Sequence, residues 1–446
     1  MFTVENYTIS GNVLQNTVAR LIAPVLARTL LHQNGRGVYA LFQLLVASCG
    51  VATCNRVAGI LAASYANRKF QAIYNNIAEG IGNTPLLATR LAEMFGFRGV
   101  VYLKLEACNP SGSIKDRSAA FMIRQAELRG ELVPFSGQHV IESSSGNLAK
   151  ALAMICFQRG YNFTAVCDSF GASKNKMAEA FGAIVHVVDG PPTADQVDLR
   201  EARRRHCRGL CAKSPSSVYI DQYYNPDNEI AYLKTLAPEI HSQLPDLDVL
   251  SICTGTGGTS SGCSQYFREQ IPEVKIIASE KEGSTMFADV SARAKCVVPD
   301  GTGYHCALPR VKKALQNGEV HEVYVVREKD AMLTSVFVSR VTGAAVGPSA
   351  GNAIFSALCH MACAQREGST GFAKVIAICA DGMQPYKDQV DEFMAKVFGA
   401  DLTTDDMGDI LRQRVCEVSR QCVYGEGMIS PTSIAFKEQV DASRDR

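Results

Sequence analysis

The chain has 446 residues, 47% hydrophobic and 20% charged, an ordinary globular composition with length for two or three domains at roughly 100–200 residues each. Its 45 basic residues against 44 acidic ones leave a formal net charge of +1, so nothing points to nucleic acid or to a strongly anionic partner. Sixteen cysteines lie scattered with no C-x-x-C pair and no secretory signal peptide, which predicts reduced thiols in a cytoplasmic setting rather than a disulfide framework.

From Met1 to Ala78 the one acid is Glu5, set against Arg20, Arg28, Arg36, Arg56, Arg68 and Lys69. Within this stretch "GVYALFQLLVASCGVATC" (Gly37–Cys54) carries no charge over 18 residues, the lower limit for a spanning helix, before Asn55 and Arg56 interrupt it. Three readings stay open: a helical extension packed on the body or on a second subunit, a membrane contact through residues 37–66, or an organelle import sequence. The last fits the shortage of acids but not the low serine content.

From about Asn76 short apolar runs alternate with helix-like segments. "GVVYLKLE", "GQHVIES", "NFTAVCD", "AIVHVVD", "DVLSICTG", "VKIIASE" and "AKVIAICAD" read as buried strands. Between them "DRSAAFMIRQAELRG" and "NLAKALAMICFQRG" have helical spacing and end in glycine. The alternation predicts an α/β protein with mostly parallel sheets, and the strand number favours two of them. The basic "LREARRRHCRGL" (Leu199–Leu210) reads as a solvated helix face, with an anion contact as the alternative, and "CHMAC" (Cys359–Cys363) as core packing that matches no standard metal site. After Gly399 a charged, helix-like tail follows, too short for another large domain.

Three loops carry chemistry. In "NPSGSIKDR" (Asn109–Arg117) small residues precede a lysine that opens the helix-like "SAAFMIRQAEL". An amine with a pKa near 10.4 becomes a nucleophile only where water is removed or positive potential is supplied, and a helix start supplies the latter. Ser111, Gly112 and Ser113 leave space for something flat against the backbone. Taken alone, this stretch is equally a turn with a surface Lys-Asp-Arg cluster. "ESSSGNLAKALA" (Glu142–Ala153) offers Ser143, Ser144, Ser145 and Asn147 where a helix start also leaves backbone donors, suited to a carboxylate or a phenolic oxygen. "CTGTGGTSSG" (Cys253–Gly262) follows a strand and precedes a helix, and its glycines and threonines make a phosphate cradle. Nucleotide readings fail: there is no G-x-x-x-x-G-K-[ST], and G-x-G-x-x-G counted from Gly255 breaks at Ser260.

With these motifs in this order, the chain resembles the pyridoxal-phosphate enzymes of the cysteine synthase and cystathionine β-synthase family, which carry N-P-x-G-S-x-K-D-R, then S-G-N, then G-T-G-G-T. Here these are Asn109–Arg117, Ser145–Asn147 and Gly255–Thr259; "GNTPLL" (Gly82–Leu87) and "DQYYNPDN" (Asp221–Asn228) also look like family segments. The resemblance covers about residues 76–398. It implies a fold type II architecture: two three-layer α/β/α domains with the cofactor in the cleft between them. The large cofactor-binding domain would be 76–105 with 230–398, and the small substrate domain 106–229. They would be flanked by a helical extension (1–75) and a helical tail (399–446), in a homodimer. It implies that Lys115 forms the Schiff base with pyridoxal 5'-phosphate and then acts as base at the substrate Cα. Gly255, Thr256, Gly257, Gly258 and Thr259 would hold the phosphate, and Asn147 the phenolic oxygen. Ser349 would face the pyridine nitrogen, and Ser144, Ser145, Gly146 and Gln222 would take the substrate carboxylate. No metal is implied.

"VGPSAGNA" (Val346–Ala353) contains the G-x-S-x-G of α/β-hydrolases, but the one histidine beyond Ser349 is His360, which precedes Asp381, so the triad order fails. In the family reading a serine at the pyridine nitrogen does not enforce a pyridinium, which moderates the electron sink and suits elimination of a β-leaving group. The expected reaction is β-replacement on an O-activated L-serine, O-acetylserine or O-phosphoserine, through an aminoacrylate. Leu148 stands where many cysteine synthases have threonine, and Ala149 where glycine is usual. S-G-N-L is closer to the branch that joins O-phosphoserine to glutamate. "ADGMQPY" (Ala380–Tyr386) only loosely matches the family's S-G-x-x-Y-L. No paired regulatory module and no heme-binding pattern are expected, and His32, Cys49 and Cys54 read as helix residues. The alternatives are a β-eliminating lyase and a catalytically silent scaffold of the same fold.

Overall fold

The computed structural model describes residues 74–144, 146–188, 196–284, 286–287 and 308–421. The apolar run Gly37–Cys54, the rest of residues 1–73 and Ser145 lie outside the described residues. Among the described residues ten strands form two sheets. The larger has the order β1-β2-β10-β7-β8-β9, built from β1 (Leu86–Ala88), β2 (Gly99–Leu105), β7 (Val249–Cys253), β8 (Lys275–Lys281), β9 (Glu322–Val326) and β10 (Ala373–Cys379). The smaller has the order β5-β4-β3-β6, from β3 (His139–Ser143), β4 (Asn162–Cys167), β5 (Ile184–Val187) and β6 (Ser217–Tyr219). Every pairing is parallel except β1 against β2. The two expected sheets are present. The three strands that the apolar runs did not announce are β1, β6 and β9; two of them are three residues long.

Parallel strands need both faces covered, and the helices of eight or more residues do this. On the small sheet lie α1 (Lys115–Leu128) and α2 (Asn147–Arg159), with α3 (Gln196–Lys213) against Ile141 and Val166 through Cys207. On one face of the large sheet lie α4 (Asp227–Lys234), α5 (Leu236–Gln243) and α6 (Gly258–Gln270), meeting Leu250, Ile252 and Ile376. After α7 (Pro309–Gln316), the other face is covered by α8 (Glu328–Thr342) and α9 (Pro348–Arg366). The chain closes with α10 (Lys387–Phe398) and α11 (Thr404–Gln421), and α11 buries Met407, Leu411, Val415 and Val418 in the same core.

Two expectations on helices meet the structure differently. Cys359, His360, Met361 and Cys363 of "CHMAC" are buried in α9, and among the described residues no His, Cys, Asp or Glu group is arranged to hold a metal. The basic stretch of α3 is not a solvated face throughout, because Arg203 and Arg204 are buried. Arg203 pairs with Asp168 at 2.8 Å, and Arg204 pairs with Asp221 at 3.1 Å and lies over the Tyr224 ring. Carboxylates and an aromatic face supplied by distant loops compensate the loss of water. Among the described residues no helix is long and apolar enough to cross a membrane.

The C-terminal ends of β3, β7 and β10 lead into Ser144, Thr254 and Asp381. In parallel α/β sheets these ends are where ligands bind.

Candidate active site

Lys115 is the first residue of α1, and the residues around it explain why the motif needs its charges. Asp116 accepts from the Ser111 N–H at 2.6 Å and from the Ser111 hydroxyl, closing the loop on itself. Arg117 reaches Glu106 at 2.7 Å and Glu239 at 3.0 Å. Glu106 also takes the Thr84 hydroxyl at 2.6 Å, and Lys104 donates to the Thr84 carbonyl at 2.7 Å. Asn109 accepts the Gly82 N–H at 2.9 Å. "GNTP" and "NPSGSIKDR" are thus two walls of one buried ionic network, which fixes where α1 begins. The Ile114 N–H donates to the Ala380 carbonyl at 2.8 Å, and Ser113 bridges Asp381, so β10 supports the lysine loop from below.

Lys115 is half-buried and makes no ion pair among the described residues. Desolvation, then the Arg310 charge, lower its pKa to about 8, while Glu142 opposes them. The fully buried Glu142 has its carboxyl pushed well up by burial and by Asp221.

At the predicted phosphate cradle the chain leaves β7 and turns into α6 with Gly257 at φ +79°, where a Cβ would sit 2.4 Å from Val311 Cγ2; only glycine fits. No side chain caps α6, and Thr254 Oγ1 and Ser261 Oγ are buried without a partner. An uncapped helix start beside unsatisfied hydroxyls is the donor set a phosphate monoester needs, so these residues fit the group. Asn228 ties this turn to the Gln222 segment, donating to Thr256 Oγ1 at 3.1 Å and to the Gln222 carbonyl at 2.7 Å. Arg310, at the start of α7, donates to the carbonyls of Gln222, Tyr223 and Asn225 at 2.9–3.1 Å.

Of the predicted residues, Asn147 opens α2 and donates to Asp381 at 2.7 Å. Ser144 is buried, and its Oγ accepts the Ala149 N–H at 3.1 Å, leaving the hydroxyl proton to donate elsewhere. Gly146 is the residue before α2, with open space where a Cβ would be. Gln222 donates from Nε2 to the Ser143 carbonyl at 3.0 Å, which sets its amide beside the Ser144 loop. Ser349 lies in the first turn of α9, its Oγ 3.5 Å from Asp381 Oδ1. His360, by contrast, bonds Glu322 at 2.9 Å, so no hydrolase triad forms. Sequence reasoning missed Asp381, Tyr386, Arg310 and Glu142. The available signal for the first two was "ADGMQPY", set aside as a loose match; Arg310 and Glu142 had none beyond burial.

A lysine with a lowered pKa, an uncapped glycine-rich helix start and a serine-asparagine loop, all near strand ends of two mostly parallel sheets, define a cofactor-dependent α/β enzyme. The chain belongs to the family of pyridoxal-phosphate-dependent enzymes, whose profile matches residues 77–381. It is 32% identical over 330 residues to the N-(2-amino-2-carboxyethyl)-L-glutamate synthase of Ralstonia nicotianae, covering 73% of this chain and 92% of that one. The cysteine synthase structure from Entamoeba histolytica superposes with a TM-score of 0.66 at 25% identity, covering 77% of this chain and 96% of that one. The O-acetylserine-dependent cystathionine β-synthase of Helicobacter pylori gives 0.63 at 26% identity, covering 71% and 98%. The fold is therefore fold type II and the cofactor pyridoxal 5'-phosphate.

Proposed function

We propose that the chain catalyses β-replacement on an O-activated L-serine, with Lys115 as the cofactor-bearing lysine. The observation that carries this is the half-buried, unpaired Lys115 with its pKa lowered to about 8 at the start of α1. Bound pyridoxal phosphate supplies the electron sink that makes the substrate Cα proton acidic. The chain does the rest. Lys115 would hold the cofactor, and its amine would accept the substrate's Cα proton and return it. Gly255, Thr256, Gly257, Gly258 and Thr259 would receive the phosphate through their N–H groups and hydroxyls. Asn147 would donate to the phenolic oxygen and Ser349 would face the ring nitrogen. Ser144, Ser145, Gly146 and Gln222 receive the substrate carboxylate, turning the Cα–H toward Lys115. In this reading the segments of the six-stranded sheet form the large cofactor domain and those of the four-stranded sheet the small substrate domain.

Lys115→Ala tests it. The variant is expected to fold, to bind pyridoxal phosphate without borohydride-stable capture, and to lose β-replacement. β-Replacement retained in that variant would contradict the assignment. The same preparation tests the proposed homodimer by light scattering, with a monomeric mass as the contrary result.

A further inference from the structure

Asp381 follows β10 and is 4% exposed, yet three polar groups of the site converge on its side chain. Asn147 Nδ2 donates to Oδ2 at 2.7 Å, the Tyr386 hydroxyl donates to the same oxygen at 2.6 Å, and Ser349 Oγ makes a long contact of 3.5 Å to Oδ1. The backbone at Gly347 is bare for this purpose: a Cβ there would lie 2.3 Å from Asp381 Oδ1. Main-chain links complete the node. The Gly347 N–H donates to the Asp381 carbonyl at 3.1 Å, and Ser113, two residues before Lys115, bridges Asp381. One carboxyl group thus touches the asparagine loop and the α9 serine, while its backbone supports the lysine loop.

We propose that Asp381 is the positioning residue for the polar edge of the cofactor ring, acting through Asn147 and Ser349. This rests on the reading that those two side chains face the ring. A carboxylate only accepts, so it fixes the Asn147 amide with nitrogen inward; Nδ2 also makes a long contact of 3.5 Å to the Tyr386 hydroxyl, and in this reading the N–H not turned to Asp381 serves the phenolic oxygen. The same carboxylate lies 3.5 Å from Ser349 Oγ and so sets the place of that hydroxyl beside the ring nitrogen. Tyr386 holds the carboxylate in place through the same oxygen that Asn147 meets.

The test is Asp381→Asn, which keeps the shape but replaces a charged acceptor by a neutral group that also donates. The readout is the absorption of bound pyridoxal phosphate, as the ratio of its visible band to its near-ultraviolet band, with no substrate present. A roughly fivefold fall in that ratio is expected, the size of change when charge assistance is removed from a hydrogen bond. Cofactor affinity is read in parallel by fluorescence for Asp381→Asn, Asn147→Ala and the double variant. The effect of Asp381→Asn on affinity should shrink when Asn147 is already gone. An unchanged band ratio, or strictly additive losses, would overturn the proposal. Should Asp381→Asn fail to fold, Tyr386→Phe is read the same way, a changed ratio supporting the proposal and an unchanged one overturning it. Borohydride trapping of the cofactor on Lys115 in the unmodified chain separates the two readings. If the cofactor is not trapped there, the site assignment falls; if it is trapped and the ratio is unmoved, only the role of Asp381 falls.

Discussion

An ordinary lysine amine at pH 7 is deprotonated in about one molecule in three thousand; with a pKa of about 8, the free base rises to about one in ten at Lys115. Desolvation at the start of α1 contributes most of that change, and the Arg310 guanidinium adds to it. Raising the pH converts ammonium to amine, so capture of pyridoxal phosphate by the cofactor-free chain should accelerate with a midpoint near pH 8. Arg310→Met removes one of the two lowering causes, and the midpoint should move up. Arg310 also clamps the Gln222 loop, so the capture rate alone would mix two effects, whereas the midpoint isolates the charge. A midpoint unchanged in Arg310→Met would contradict this account.

At the scale of elements, the network of Lys104, Glu106, Arg117 and Glu239 joins β2, α1 and α5. Burial alone would raise the Glu239 pKa, yet bonds from Arg117 and Lys104 overcome it and bring the group from 4.5 to about 2. A carboxylate with a depressed folded pKa stabilises the fold above its unfolded value and loses that contribution as pH falls through the folded one. The fold should therefore weaken between about pH 4.5 and pH 2. Glu239→Gln should flatten that decline, at a cost of about 3 kcal/mol at neutral pH for the cations left unmatched. Denaturant titrations across the range measure both, and a decline of unchanged steepness would count against the network. The α11 helix offers a contrast. Leu411→Ala opens a cavity in the large-sheet core and should cost about 2–5 kcal/mol without changing cofactor affinity, because none of the proposed site residues lies on that helix. Weakened cofactor binding in that variant would connect α11 to the site.

At the scale of the molecule, seven of the ten strands among the described residues were visible as apolar runs, because buried parallel strands show continuous hydrophobicity. β1 and β6 have three residues each, too few for a pattern. In β9 only Tyr324 and Val326 are buried, so its sequence alternates weakly. The lysine, the asparagine loop, the phosphate cradle and Ser349 were legible because each sits in a contiguous motif at a strand-to-helix junction. Asp381 was not, since its partner Asn147 is 234 positions away and "ADGMQPY" matches the family's S-G-x-x-Y-L too loosely to mark a buried carboxyl. Arg310 likewise acts on carbonyls 85 to 88 positions earlier. What motifs announce is the cofactor, and what folding adds is the set of distant groups that orient it. The central claim is tested most directly by the visible spectrum of the full chain loaded with pyridoxal phosphate, before and after adding O-acetylserine and, separately, O-phosphoserine. The account predicts a yellow protein whose band moves to longer wavelength with one of these donors and returns when a nucleophile is supplied. A protein that stays colourless with added cofactor, or a yellow one whose band ignores both donors, would contradict it.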